Sequence, residues 1–576
     1  MVKIQASAWA RAKLIPSPAA PEKSLLIDKQ ASPGYFVALR ASLTALFVVC
    51  VVVLVVRTWH WPLVNDPAQF SYLCFLMDHG MAPYRDIIEM NMPGTYLVNW
   101  TVMHALGAGS LAWRIFDLGL LGVGSAAMIS IVWPYDWFAG VFSSALFILF
   151  HGRDGAEQMG QRDLIIAVLL LAGCAFLFRA IRGMGAARKD EGGAGKRRAI
   201  AALLMGLFGL CAGVATTIKP TPLPFALLLL LFAILVLRER RQPWALLAAS
   251  AVAGMLVPLA VVLGFLMREH ALHAFLQMER VMLPYYATLG RLSMGHLLEH
   301  ALPPSLLAMA LLAMAVVIAG RGSEEGNGNR IHQRLLAEGS WEQVVLGAGI
   351  LFGVASYVAQ GKGFAYHRYP AVGFLLCWAG IQFAMVLRSW ERESRATLRS
   401  ARGVRTVRWL GMAGLILGAV LAPVYLAKAS RLQWNEQVTD MLQADLTALG
   451  GPALSTHVQC LYTFSECDTA LYRMRLVQST GLFYDYFLFG PQTSPVVQSV
   501  QRRFSGEIQR DPPQVFVVLT GLYPDGVPGY GKLRLWPWFD NYLAANYSVY
   551  TERSGRTGDG MQLGYRIYAR KQQASR

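Results

Sequence analysis

Acidic residues crowd the stretch that directly follows the first long apolar run of the chain. These residues are Asp66, Asp78, Asp86 and Glu89. Carboxylates beside a membrane are costly unless they face water or a cleft, so they mark a functional site by default. A carboxylate there could act as a general base toward a hydroxyl group. For Asp66 a second interpretation stays open, because an Asp before a proline is also a common helix start and Pro67 follows it.

A second group of polar residues lies within positions 84–96. Pro93 and Gly94 break the chain, and we expect a new amphipathic helix to start there. This turn would present Glu89 and Asn91 at the membrane surface. A solvated loop with local salt bridges is the alternative interpretation of the same residues.

Charged residues and glycines fill the stretch His151–Asp163, which we expect to be an outward loop between two spans. A simple connector does not need this polar content, so the pattern favours function. Its acidic residues are Asp154, Glu157 and Asp163, and Arg162 precedes the last of them. Asp163 abuts the apolar run 164–171 and is therefore expected at the membrane edge.

Two further outward loops add basic residues. Lys219 lies at a span end, where a single lysine is also expected as an anchor that reaches the interface. The other loop adds Lys362, His367 and Arg368 among aromatic residues. Such side chains bind phosphate through charge-assisted hydrogen bonds. Carboxylates and bases on one face therefore indicate an anionic, lipid-borne substrate that enters from the membrane.

The composition indicates a polytopic helical membrane protein. The chain has 576 residues, of which 55% are hydrophobic and 15% charged, whereas soluble domains carry about 25% charged residues. The net charge of +17 lies in short loops between apolar runs, as expected of cytoplasmic loops, and does not indicate nucleic acid. No phosphate-binding loop motif or strand-anchored dinucleotide fingerprint is present, so a cytosolic nucleotide is not expected to drive the protein.

Apolar runs of membrane-spanning length recur along the chain. We predict about eleven spans, since each needs roughly 20 residues, near 36–57, 111–133, 137–150, 164–181, 199–217, 221–237, 244–267, 304–320, 342–359, 371–388 and 409–428. Even numbers of spans separate the basic loops at 179–198, 238–241 and 388–408, so all three fit the cytoplasm. This topology places the N-terminus inside, and the loop 58–110 and residues 429–576 outside.

The two ends of the chain differ from this middle part. Residues 1–35 are polar and basic, and we expect a disordered cytoplasmic tail without a cleavable signal peptide. Residues 429–576 have mixed composition and predict a small α/β domain on the outer face. Its expected elements are strands at 513–519 and 564–568 and a short amphipathic helix at 537–543.

The seven cysteines are scattered, and no pair has metal-ligand spacing. Four of them lie in apolar helices and are expected to be inert packing residues: Cys50, Cys174, Cys211 and Cys377. Cys460 and Cys467 fall in the outer domain. If this domain lies in an oxidising periplasm, the two thiols are candidates for a disulfide.

The pattern resembles the C-type glycosyltransferases with the GT-C fold, in the branch of protein mannosyltransferases and lipid A aminoarabinose transferases. The matching features are Asp66 just past the first span, the 84–95 segment ending in Asn-Met-Pro-Gly, the 157–163 segment, Lys219 after a later span, and a soluble outer domain after the last span. The resemblance implies a GT-C-like transmembrane domain over residues 36–428.

The resemblance also implies roles for single residues. In such enzymes the first-loop Asp activates the acceptor, a second acid assists or binds metal, and basic residues hold the polyprenyl phosphate. Carried over, Asp66 is the base and Asp163 or Glu157 the second acid, while Glu89 is a further acidic candidate. The phosphate candidates are Arg162, Lys219, Lys362, His367, Arg368, Arg85 and Asn91. A divalent metal ion at Asp66 and Asp163 stays open.

The function implied is transfer of a hexosyl or pentosyl group, in a bacterial inner membrane, from a polyprenyl-phosphate donor to a periplasmic glycan, lipid or protein. A transporter or flippase of lipid-linked sugars is the alternative; it would carry its charges near mid-membrane, often in repeated halves. Here the charges crowd one face and no repeat is visible, which favours the enzyme. A structural assembly subunit is a third interpretation, but it leaves the loop carboxylates unexplained.

Overall fold

The structure is a computed structural model of a mainly helical chain with a small C-terminal sheet. It describes residues 34–185, 194–322, 340–396, 402–432, 434–462, 466–521, 527, 529–558 and 560–571. The predicted disordered tail, residues 1–35, lies outside the described residues except at its last two positions, where the first helix begins. Parts of the basic loops 179–198 and 388–408 also lie outside them.

A helix occupies the place of each predicted span. These helices are α1 (Gly34–Arg57), α4 (Ser110–Val132), α5 (Trp137–Arg153), α6 (Arg162–Gly185), α7 (Ala194–Ile218), α8 (Leu223–Glu239), α9 (Trp244–Arg268), α13 (Pro304–Gly322), α14 (Ser340–Gln360), α15 (Tyr369–Ala396) and α16 (Arg402–Arg431). In the described chain eight helices are long and apolar enough to cross a membrane, or up to nine if α13 forms one bent span with Met294–His300. Helices α5 and α8 have 17 residues each, or roughly 25 Å, slightly less than a bilayer core of about 30 Å.

Two helices form the centre of the bundle. The apolar windows of α6 and α15 are almost wholly buried by their neighbours, whereas α9 is mostly exposed where lipid would surround it. The N-terminal ends of α6 and α15 come from the two loops whose polar residues the sequence singled out. The packing of the bundle therefore brings those loops to the same end of neighbouring helices.

Ion pairs tie the helices together at the opposite end. Arg40 pairs with Asp136 at 3.2 Å, and Arg182 pairs with Glu342 at 2.5 Å. Arg388 donates to the carbonyl of Tyr135, 2.7 Å away. The first helix, the α4–α5 turn and the ends of α6 and α15 therefore meet here, which agrees with the parity of spans in the predicted topology.

The predicted outer loop 58–110 contains two helices. They are α2 (Asn65–Asp78) and α3 (Pro93–Leu106), and Pro93 opens the second at the place where the sequence predicts a helix start. Proline suits the first helical position because its missing N–H would have no partner there. The segment 79–92 between the two helices carries the polar residues of the site.

Short helices follow α9 at the end of the bundle where α2 and α3 also lie. They are α10 (Leu272–Gln277), a π-helical turn at Met278–Met282, α11 (Leu283–Thr288) and α12 (Met294–His300). None of the residues in α10 or α11 is fully buried. The segment therefore lies across the end of the bundle, beside the polar cluster.

The C-terminal part folds around a four-stranded sheet. Its strands are β1 (Val458–Leu461), β2 (Val515–Leu519), β3 (Tyr547–Arg556) and β4 (Gln562–Arg570), and its helices are α17 (Gln437–Leu449), α18 (Glu466–Met474), α19 (Pro495–Arg510) and α20 (Pro537–Asn546). The strand order is β1-β2-β4-β3, with β1 parallel to β2 and the other pairs antiparallel. Strand β2 is buried along its whole length, as expected for its β-branched run. The predicted small α/β fold is confirmed.

The sheet domain docks directly on the segment that carries the first polar residues. Tyr72 donates to the carbonyl of Leu476 at 3.1 Å, and Ile88 donates its N–H to the carbonyl of Gly481 at 2.7 Å. One hydrophobic cluster contains buried residues of α2, of the 79–92 segment and of the sheet. Cys460 and Cys467 form a disulfide within this part, with Cα atoms 6.3 Å apart.

Candidate active site

An ion pair between α2 and α6 forms the centre of the polar cluster. Arg162, the first residue of α6, donates to Oδ2 of Asp66 at 2.9 Å, and the hydroxyl of Tyr366 donates to the same oxygen at 3.3 Å. The Asp66 side chain remains 27% exposed. Within the described part of the chain no group donates to its other oxygen, Oδ1. Asp66 therefore has one carboxylate oxygen available to a ligand.

The interpretation of Asp66 as a helix cap is wrong. The N-cap of α2 is Val64, in an extended conformation, and no side chain caps this helix. Asp66 lies in the first helical turn, and its carboxylate contacts Arg162 and Tyr366 rather than the N–H groups of its own helix. The preceding Asn65 has a φ of 54°, which few residues adopt, and Asn is among them.

A chain of hydrogen bonds connects Arg162 to a buried carboxylate. Arg162 donates to Oδ1 of Asn91, and the Asn91 amide donates to Oε1 of Glu89 at 2.7 Å. The N–H groups of Met90 and Asn91 donate to the same oxygen at 2.7 and 3.1 Å. Glu89 is only 1% exposed. Burial raises the pKa of Glu89 above its ordinary value, although these hydrogen bonds and Arg162 oppose the rise.

A second ion pair lies next to the first. The ammonium group of Lys219 donates to Oδ2 of Asp163 at 2.5 Å and to the side-chain oxygen of Gln360 at 2.6 Å. His367 approaches Asp163 to 3.9 Å. Asp163 is 2% exposed and the Lys219 side chain 14%. Burial lowers the pKa of Lys219, and the charge of Asp163 opposes this. The structure thus pairs Lys219 within the cluster rather than leaving it as an isolated interfacial anchor.

Side chains of α4 hold the turn that precedes α6. The expected loop 151–163 is shorter than predicted, because α5 continues to Arg153. Asp117 accepts the N–H of Gly160 at 2.8 Å, and the indole of Trp113 donates to the carbonyl of Met159 at 2.9 Å. These bonds hold the turn immediately before Arg162.

The Asp117 carboxylate is itself buried and paired. It contacts Arg114 at 2.5 Å and His151 at 3.2 Å, and each of the three side chains is at most 2% exposed. His151 also contacts the hydroxyl of Tyr369 at 2.7 Å. The network therefore links α4, α5 and α15 below the site.

The remaining candidates lie around the cluster or outside it. Glu157 accepts from the amide of Asn65 at 3.2 Å, at the edge of the cluster. The Lys362 ammonium is 4.4 Å from the centre of the Tyr286 ring. Arg85 is exposed and pairs with Asp86, while Arg368 donates to the carbonyl of His300 at 2.9 Å. Neither guanidinium is brought to Asp66, because each already has its partner elsewhere.

Several residues of the site were not predicted from the sequence. Tyr366 and Gln360 lie in the same loop as Lys362 and His367, so the aromatic and amide content of that loop was an available signal. Asp117 lies inside a predicted span, where an ionisable residue indicates function by default. Their partners are far away in sequence, and only the packing of the helices shows which residues meet.

The residues present do not fit a divalent metal ion. The described part of the chain contains no group of three or more His, Cys, Asp and Glu side chains that could hold one. Asp66 is paired with Arg162 and Asp163 with Lys219. A metal ion would therefore meet two cationic side chains on the carboxylates expected to bind it.

Comparisons with known proteins agree with this architecture. Residues 91–328 match the model of glycosyltransferase family 87. ArnT from Cupriavidus metallidurans in the apo state is similar, with a TM-score of 0.53 and 14% identity over 92% of this chain and 98% of that chain. The same protein bound to undecaprenyl phosphate gives a TM-score of 0.51 and 14% identity over 95% and 99% of the two chains. No curated protein matches the chain.

At this level of identity the solved structures establish the fold alone, and the family model matches less than half of the chain. The likeness to ArnT extends over both the helical bundle and the sheet domain. The chain therefore has the fold of ArnT, and residues 91–328 are similar to glycosyltransferase family 87.

Proposed function

We propose that the protein transfers a sugar from a polyprenyl-phosphate donor to a hydroxyl group of a glycan, lipid or protein acceptor. The observation that carries this proposal is the partly exposed Asp66 carboxylate, with Oδ1 available, beside the cations Arg162 and Lys219 at the end of the membrane helices. Support for the donor class comes from the fold, since ArnT is known with undecaprenyl phosphate bound. The net charge of the basic loops supports a periplasmic position for this end, in a bacterial inner membrane.

The proposed reaction is a displacement at the anomeric carbon. The carboxylate of Asp66 accepts the proton of the acceptor hydroxyl while the oxygen of that hydroxyl bonds to the anomeric carbon. The bond between this carbon and the phosphate oxygen breaks, and the polyprenyl phosphate leaves with the electron pair. Arg162 and Lys219 stabilise the negative charge that develops on the phosphate.

In this proposal the second carboxylate acts on a cation rather than on the acceptor. Asp163 is buried and bonded to Lys219, which fixes the ammonium group at the end of α7. Asn91 does the same for Arg162, because its oxygen accepts from the guanidinium and its amide is held by Glu89. Catalysis then depends on one base, Asp66, and on two cations, Arg162 and Lys219, whose positions are fixed by their hydrogen-bond partners.

The test is transfer from a labelled polyprenyl-phosphate sugar by purified variants. Asp66→Asn keeps the shape of the side chain and removes the base, and we expect the rate to fall by about 10²–10⁴-fold. The matched control is Asp78→Asn, on the same helix, where the carboxylate contacts Trp100 and His104 instead. If Asp66→Asn transfers at the wild-type rate while Asp163→Asn is inactive, the base is Asp163 and the proposed role of Asp66 is wrong.

A further inference from the structure

Two tyrosine side chains from separate parts of the chain flank the Asp66–Arg162 pair. Tyr366 donates its hydroxyl to Asp66. Tyr286, on α11, lies close enough that the charges of Arg162 and Asp66 act on it: burial raises its pKa, Arg162 lowers it and Asp66 raises it. Both side chains are only half-buried. Their rings are therefore accessible to a molecule that contacts Asp66.

The sheet domain supports Tyr286 from behind. The ring of Tyr486 lies 5.9 Å from that of Tyr286, and the ring of Tyr484 stacks on Tyr486 at 5.0 Å. Tyr484 donates its hydroxyl to Glu89 at 3.3 Å. Tyr484 and Tyr486 are themselves less than a tenth exposed. They form a buried layer behind an accessible ring.

The segment that carries this layer is held at close range. An added Cβ at Gly481 would lie 1.8 Å from the carbonyl oxygen of Asp86, so only glycine permits this approach. Ile88 and Leu482 form a β-bridge at the same place. The positions of Tyr484 and Tyr486 are thus fixed relative to the 79–92 segment.

The aromatic residues also meet a cation of the site. The Lys362 ammonium lies 4.4 Å from the centre of the Tyr286 ring and donates to the Tyr286 carbonyl at 3.1 Å. A phosphate attracted by the cations of this cluster would therefore place the group attached to it against the rings. Sugar rings present C–H groups on one face and hydroxyls around the edge. Ligand sites that combine aromatic side chains with a few convergent polar groups suit such molecules.

We propose that Tyr286 and Tyr366 bind the sugar ring of the donor beside Asp66, and that Tyr484 and Tyr486 of the sheet domain hold Tyr286 in position. This assignment rests on the proposed glycosyl transfer and names the part of the site that recognises the transferred group. The sheet domain then contributes to donor selection, although it lies outside the helical bundle.

The test distinguishes binding of the sugar from binding of its polyprenyl-phosphate carrier. The KM for the sugar-linked donor and the inhibition constant of the same polyprenyl phosphate without sugar are measured in parallel. We expect Tyr286→Leu to raise the KM about tenfold, with less than a twofold change in the inhibition constant, because aromatic contacts contribute modestly to binding. Tyr286→Phe retains the ring and should behave like the wild type. Tyr486→Leu should shift the KM in the same direction, whereas Tyr550→Leu, at an exposed position on the edge strand, should leave it unchanged.

Three outcomes would overturn the assignment. Equal rises in the KM and in the inhibition constant would mean that Tyr286 acts on phosphate binding, by positioning Lys362. A rise confined to the acceptor KM would place the acceptor on this ring. An unchanged donor KM in Tyr286→Leu would remove the role altogether. The proposed function is tested separately: an Asp66→Asn variant that retains full transfer would contradict it, whatever the result for Tyr286.

Discussion

Asp66 and Asp163 are the same residue type at the ends of neighbouring helices, but their surroundings differ. Asp66 is partly exposed and has an oxygen available, whereas Asp163 is 2% exposed and bonded to Lys219. A buried ion pair offsets a large desolvation penalty only while both partners are present. We therefore expect Asp66 to accept the proton of the acceptor hydroxyl and Asp163 to have a positioning role.

Lys219→Ala should both weaken donor binding and destabilise the fold. Loss of one partner of a buried pair leaves the other charge uncompensated, which costs about 3–5 kcal/mol. The double variant Lys219→Ala with Asp163→Asn should regain much of the thermal stability without regaining transfer. Unfolding temperatures in detergent and transfer rates check both effects. A double variant that is as unstable as the single one would contradict the pairing.

Glu89 should make stability depend on pH. Burial raises its pKa above the ordinary value of 4.5, so the folded state binds this proton more tightly than the unfolded state. The contribution to stability is then fully present below the unfolded pKa and is lost as the pH rises through the folded pKa. A tenfold difference in proton affinity corresponds to about 1.4 kcal/mol.

The comparison is between wild type and Glu89→Gln, whose amide oxygen can accept the same hydrogen bonds without a charge. Unfolding temperatures are measured from pH 4 upward. As the pH rises above 4.5, the wild type should lose stability relative to the Gln variant. Parallel curves would show that the carboxyl does not titrate differently on folding.

At the scale of elements, the turn between α5 and α6 positions Arg162. Gly160 has a φ of 62°, and its N–H bonds to Asp117. Trp113 holds the preceding carbonyl. Arg162 follows two residues later, so the contacts that α4 makes with this turn also fix the position of the Arg162 guanidinium. The proposed phosphate-binding arginine is thereby positioned by Asp117 and Trp113 of another helix.

Gly160→Ala should damage this turn. An added Cβ would lie 2.7 Å from the Trp113 ring in a backbone conformation that favours glycine, and overpacking of this kind typically costs about 1–3 kcal/mol. We expect slower transfer and a lower unfolding temperature. Gly183→Ala is the control within α6, because nothing lies within 4 Å of its added Cβ and alanine favours helix by about 0.5–1 kcal/mol. Equal effects of the two variants would contradict the role of the turn.

Local features of the sequence predicted the helices and strands well, but they did not predict which residues contact each other. The apolar runs, Pro93 and the buried strand β2 carry their own signals, and the structure places the corresponding elements there. Strand β3 was missed because most of its side chains are exposed and do not alternate. The contacts of Asp66 were not predictable, since its partners lie 96 and 300 residues away. Such pairs depend on which helix ends meet, and the sequence pattern of one helix does not contain that information.

At the scale of the whole molecule, the helix ends divide into two sets. One set carries Arg40, Arg182 and Arg388 with their partners, and the other carries the Asp66 cluster and the sheet domain. The positive-inside rule predicts a cytoplasmic position for the first set. The predicted domain bounds, 36–428 and 429–576, follow from the same assignment and remain predictions.

A reporter fused after Arg576 should therefore be active only in the periplasm. The reason is that basic loops favour the cytoplasmic side and an odd number of spans separates the two ends of the chain. A fusion after Arg240, in a basic loop, is the control and should report the cytoplasm. Cytoplasmic activity of the C-terminal fusion would mean that one span is miscounted, and the short helices α5 and α8 would be the first to re-examine.

The bond between Tyr72 and Leu476 joins residues 404 positions apart, and it lies in a core shared by α2 and the sheet domain. During synthesis, α2 leaves the ribosome long before the residues that cover it. The growing chain must therefore keep an apolar surface exposed until the last quarter of the protein has been made and has folded onto it. A chain that stops early would present this surface to quality-control proteases, so incomplete copies should be degraded.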